Sequence, residues 1–157
     1  MGLNDADRHR ENAEKYLREG QNQEALIKFY QATRLKPDDL ELNLRAGEVF
    51  AELGHRTEAA DFYRDALSIS PDDSDILLRL GDILVYIDPP AAETMADDLL
   101  EANPKNAHAW LLKAKLALQR NETDSVKTLV EKATRIAPYE PEADWILALT
   151  EEAIDRN

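Results

Sequence analysis

The feature that most constrains this chain is the spacing of four of its prolines. Pro37, Pro71, Pro104 and Pro138 lie 34, 33 and 34 residues apart. Self-similarity at a fixed period of this length marks a stack of like units rather than one irregular core. Each proline closes an amphipathic stretch and is followed by a short polar pair: Asp38-Asp39, Asp72-Asp73, Lys105-Asn106 and Tyr139-Glu140. Proline disfavours helix at the residue before it, and an Asp or Asn after it caps the next helix by accepting from free backbone N–H groups. Each proline segment is therefore predicted to end one helix and start the next.

A second break falls about 17 residues before each proline and carries Gly20, Gly54, Asp88 and Asn121. Gly, Asn and Asp tolerate the left-handed conformation found at helix C-termini. Each unit then reads as two antiparallel helices, A and B, of about three turns each. Small residues recur where A and B should touch: Ala13, Gly47, Gly81 and Ala114 on A, with Ala25, Ala59, Ala92 and Val126 on B. One or two turns further along B come Ala32, Ala66, Leu99 and Ala133. Large residues sit beside them, Tyr16, Phe50 and Leu84 on A and Phe29 and Tyr63 on B. Small against large at helical spacing predicts close interhelical packing.

This pattern resembles the tetratricopeptide repeat (TPR). The fullest matches are Ala13, Tyr16, Gly20, Ala25, Phe29, Ala32 and Pro37, then Gly47, Phe50, Gly54, Ala59, Tyr63, Ala66 and Pro71, with Trp110 as the leading tryptophan of the fourth unit. The resemblance implies an all-α fold: a right-handed superhelix, or α-solenoid, of four helix-turn-helix repeats at about residues 6–39, 40–73, 74–106 and 107–140. A last amphipathic helix, about 141–156, carries Trp145, Ile146, Leu149 and Ala153. It reads as a solvating cap or as the start of a truncated fifth unit, and Glu151, Glu152 and Asp155 favour the cap because terminal repeats need a polar outer face. The third unit is one residue short, with Asp88-Pro89-Pro90 in its turn and Ala96 at an aromatic position; the fourth has Ala117 and Val130 there. Both are expected to have thinner cores.

Chemistry is sparse. There is no cysteine, which removes disulfides and thiolate metal sites. His9, His55 and His108 fall in different units without a carboxylate at metal-ligand spacing and are expected at the surface. Asp72-Asp73-Ser74-Asp75 lacks the glycine and spaced ligands of a calcium loop. No catalytic or nucleotide-binding motif is present, so neither an enzyme nor a cofactor or metal site is expected. Lys plus Arg number 19 against 32 Asp plus Glu, a net charge of −13, which repels nucleic acid and anionic membranes. No apolar run reaches membrane-spanning length and no leader is visible, which favours a cytoplasmic, monomeric protein without membrane insertion.

In TPR proteins the A helices line a concave groove. The corresponding positions here form an apolar ribbon and an arginine row. The ribbon takes Leu44, Leu78 and Leu111 from one position and Leu17, Ala51, Val85 and Leu118 from another. The row is Arg10, Arg45 and Arg79, and further groove positions add Tyr86, His108 and Lys115. The ribbon is equally readable as helix packing, and the arginines as partners of Glu14, Glu48 and Asp82 three or four residues away. The two-carboxylate clamp of some TPR proteins would fall on Arg10, Glu14, Arg45, Asp75 and Arg79; only Arg79 matches, and Glu14 and Asp75 would repel a carboxylate. The resemblance implies a protein-interaction module or adaptor that takes a protein or peptide segment with apolar anchors. The other reading is a structural spacer within a larger secretion, envelope-assembly or regulatory protein.

Overall fold

A computed structural model describes residues 4–155. Among them are nine α-helices and no strands: α1 (Asp5–Arg18), α2 (Asn22–Leu35), α3 (Leu40–Glu52), α4 (Arg56–Ile69), α5 (Ser74–Ile87), α6 (Pro89–Ala102), α7 (Ala107–Gln119), α8 (Thr123–Ile136) and α9 (Pro141–Asp155). The chain is all-α. It divides into two compact units, one ending at Ile83 and the other beginning at Leu84.

The helix boundaries have local causes. Three of the four helices that follow the spaced prolines start on an Asx cap: Asp39 Oδ1 accepts from Leu42 N at 3.0 Å, Asp73 from Ile76 N at 3.2 Å, and Asn106 from Ala109 N at 3.1 Å. Asn4 caps α1 in the same way, through Asp7 N at 3.0 Å. The turns inside the pairs are built differently. Gly20, Gly54 and Asn121 adopt positive φ of 73°, 85° and 57°. The next residue then reaches back, Gln21 N to Tyr16 O and His55 N to Phe50 O at 2.8 Å, and Glu122 N to Ala117 O at 3.0 Å. That closes off helix-terminal carbonyls in the Schellman manner.

The third turn departs from the expected left-handed break. Asp88 has φ −152° and serves as the N-cap of α6, accepting from Ala91 N at 3.2 Å. Proline at 89 disfavours a helical backbone at residue 88. One residue separates α5 from α6, against three in the other hairpin turns. The turn is two residues shorter and α5 one residue longer than α3 or α7, which together account for the one residue the third unit lacks.

In the first unit α1 packs on α2, α2 on α3, and α3 on α4. Ala13, Ala25, Phe29, Ala32, Ala46, Val49, Ala59 and Ala66 are fully buried there. Gly47 on α3 lies directly against the Tyr63 ring on α4. Asn43 is buried and donates Nδ2 to Pro37 O at 2.7 Å and Asp39 O at 3.0 Å, tying the α2–α3 turn to α3. In the second unit α7 packs on α6, α8 and α9. Its core joins Leu111, Ala114, Ala117, Val126, Val130, Ala133 and Ile146, with Trp110 at its edge. Trp110 Nε1 donates to Pro104 O at 3.1 Å, and Lys132 Nζ sits 4.4 Å from the ring centroid.

Candidate functional site

Arg10, Leu44, Arg45, Leu78 and Arg79 belong to the first unit; Tyr86, His108, Leu111 and Lys115 belong to the second. In the first unit the arginines are held across repeats. Arg45 forms a two-pronged bond with Glu14 on α1, Nε to Oε1 at 2.7 Å and Nη2 to Oε2 at 3.0 Å. Its Nη1 also lies 3.5 Å from Glu48 Oε2 on its own helix, the local pair read from the sequence. Arg79 Nη1 reaches Glu48 Oε1 on α3 at 2.9 Å, and Arg10 pairs with Glu41. Glu14–Arg45–Glu48–Arg79 is therefore a continuous ladder. With two carboxylates and two guanidiniums its formal charge cancels.

The electrostatics follow. The Arg45 hydrogen bond holds the Glu14 carboxyl below the ordinary glutamate range, against a smaller opposing effect of burial. Glu14 in turn raises the Arg45 pKa further. Burial pushes the Tyr63 hydroxyl up, and a hydrogen bond with Arg79 partly offsets it. Such half-exposed pairs contribute about 0.2–1 kcal/mol each, with two-pronged geometry at the upper end.

The apolar ribbon is shorter than expected. Leu44 and Leu78 are half-buried, as are Leu17 and Ala51. Val85 and Leu111 are fully or nearly fully buried. Leu111 joins the core that includes Ala143 and Ile146 of α9, so it is a packing residue and not a surface anchor. Lys115 is also buried, at 8% exposure, and pairs with Glu142 of α9. His108 Nε2 lies 3.7 Å from Glu140 Oε1, and Tyr86 is half exposed. Of the other histidines, His55 Nδ1 is 3.6 Å from Glu58, whereas His9 is half-buried with Nδ1 unpaired. Among the described residues no three metal-ligating side chains converge, and no helix is long and apolar enough to cross a membrane.

Helical hairpins with a 34-residue sequence period define a helical-repeat protein. The tetratricopeptide repeat model matches residues 10–74 and 88–141, and the chain belongs to that family. Members are generally non-catalytic scaffolds for protein–protein interaction. A comparison with curated protein sequences yields no match. Among solved structures, a tetratricopeptide repeat protein from Parabacteroides merdae is similar at TM-score 0.78 and 21% identity, covering 96% of this chain and 59% of that one. MamA from Desulfovibrio magneticus is similar at TM-score 0.68 and 21% identity, covering 99% and 92%. YrrB, described as a TPR protein with an unusual peptide-binding site, follows at TM-score 0.61 and 19% identity, covering 98% and 79%. At these identities the likeness carries the fold alone.

Proposed function

We propose that the chain is a protein-interaction module that takes a partner segment along the helix-A face of its first unit. The observation that carries this reading is the pair Leu44 and Leu78. They occupy equivalent positions one repeat apart, both half-buried, each followed by an arginine of the ladder. Partly open leucines on a rigid, locally charge-balanced face suit a segment with two apolar anchors and mixed charge. Arg79, half exposed and bonded to Glu48 and the Tyr63 hydroxyl, has more N–H donors than these two contacts use, which can set the segment's register. The peptide site named for YrrB is consistent with such a role for this fold.

Within the same reading α1 to α8 make four repeats and α9 is a capping helix. One period after buried Ala114 and Ala117, Ala148 and Glu151 of α9 are exposed, and Glu151, Glu152 and Asp155 give that helix a polar exposed side beside the half-exposed Trp145 and Ile154. The test is recovery of partners on immobilised wild type against Leu44→Glu and Leu78→Glu. Loss of the same partner on both variants is expected, with a shallow dependence on salt between about 50 and 500 mM. Equal recovery on all three proteins refutes the reading.

A further inference from the structure

Helix α2 exposes a stripe of large apolar side chains that its own unit leaves uncovered. Ile27, Tyr30 and Leu35 are 49%, 53% and 54% exposed, and all three open onto the same groove. They border a groove of about 910 Å³ that also involves α3 and α4, with Leu26 and Phe50, themselves nearly buried, beneath them. A second depression of about 530 Å³ shares Tyr30, Arg34 and Glu58 with the first and adds Phe62. The Phe50 and Phe62 rings meet edge to face at 4.9 Å, so the base of the trough is rigid.

The α4 wall carries charge of one sign. Glu58, Asp61 and Asp65 line the trough at i, i+3 and i+7, a single stripe on one helix face, and all are exposed. Arg64 bonds Asp61 at 2.9 Å and His55 approaches Glu58, whereas among the described residues no basic side chain pairs with Asp65. The opposite wall is mostly amide, Gln23 and Gln31, with Arg34 near its end. An extended occupant would bring unpaired backbone N–H and C=O groups onto an apolar surface that offers no strand edge. A helix arrives with those groups already satisfied, and the stretch of α2 from residue 23 to residue 35 matches about twelve helical residues in length.

We propose that this trough docks an amphipathic helix of a partner protein, its apolar stripe on Ile27, Tyr30 and Leu35 and its Lys or Arg residues facing Glu58, Asp61 and Asp65. The trough shares no residue with the Glu14–Arg45–Glu48–Arg79 ladder, so it is a second surface, independent of the helix-A face.

The test titrates the whole isotope-labelled chain with a helical peptide of about 16 residues carrying a leucine stripe flanked by lysines, and with the same peptide bearing glutamates instead. Amide shifts are expected at Ile27, Tyr30, Leu35, Glu58 and Asp65 and not at Leu44 or Leu78. The lysine peptide should bind about tenfold more tightly than the glutamate peptide at low salt. Ile27→Asp, at an exposed position, should cost about tenfold in affinity with the far-UV circular dichroism unchanged. Asp65→Lys should erode the preference for the lysine peptide. Shifts centred on Leu44 and Leu78, equal affinity for both peptides, or no binding would overturn the proposal. So would concentration-dependent dimerisation of the free chain abolished by Ile27→Asp, which would make a second copy the occupant.

Discussion

Gly47→Ala sets two opposing effects against each other, and the structure decides which wins. In the interior of an exposed helix this change stabilises by about 1 kcal/mol, because glycine loses more backbone freedom on folding than alanine. Here the new Cβ would fall 2.8 Å from Tyr63 Cε1, 3.0 Å from Cδ1 and 3.1 Å from Cζ. Carbon atoms pack best at about 3.5–4.0 Å, so the ring has to retreat by roughly 0.7 Å. Tyr63 is 3% exposed, so its ring shifts against packed neighbours and not into solvent. Overpacking a filled core costs about 1–3 kcal/mol. The sum is a net destabilisation of about 1 kcal/mol, or roughly 2–4 °C in Tm for a chain of this size. Urea unfolding followed by circular dichroism measures it. The second arm is Tyr63→Leu, which removes the ring: on that background Gly47→Ala should stabilise by about 1 kcal/mol, a change of sign that a double-mutant cycle reads directly. Gly47→Ala raising stability with Tyr63 intact would refute the packing argument.

Glu14→Gln should lower stability at neutral pH by about 0.5–1 kcal/mol. Because the Glu14 carboxyl titrates below its ordinary value, the contribution is present above about pH 4.3 and is lost as pH falls through the folded-state pKa. The variant's stability should therefore fall less than wild type's across that acid window, and parallel acid-unfolding curves would contradict the assignment. Asn43→Ala should cost about 1–3 kcal/mol, since it strips two hydrogen bonds from a buried turn and removes the donor to the Pro37 carbonyl, while Asp39 O keeps the Asn43 backbone N–H; a denaturation midpoint unchanged from wild type would count against it. Helix α6 buries Ala92 and Ala96 fully, whereas α4 buries Ala59, Ala60, Phe62, Tyr63 and Ala66. Amide exchange should be faster in α6 than in α4, and equal protection would show that side-chain burial does not set local opening.

Whatever depends on neighbours in sequence was legible from the residues. The prolines, the Asx residues after them and the glycine turns act within a few residues of themselves, and the structure puts helix ends at each. The recurrence of Ala13, Gly47 and Ala114 carried the helix pairing because a small residue has one use at a close crossing, and all three are buried. Asp88 shows the limit of residue-type reasoning: aspartate suits both a left-handed break and an N-cap, and the proline after it selected the cap. The arginine row needed a second dimension. Each of Arg45, Arg79 and Glu41 meets an oppositely charged partner 31 residues earlier, one period less one turn of helix, so beside the local Arg45–Glu48 pair the signal was present as a spacing between helices. Leu111 and Lys115 failed as surface residues for a different reason. They repeat the positions of Leu44 and Glu48, but α9 packs on α7, burying Leu111 beside Ile146 and placing Glu142 on Lys115. Repeat position predicts which way a side chain points; whether it stays open depends on what the next helix brings to it. By the same logic Ile27, Tyr30 and Leu35 drew no notice in the sequence, since apolar residues on a B helix read as core until their surroundings show that nothing in the unit covers them.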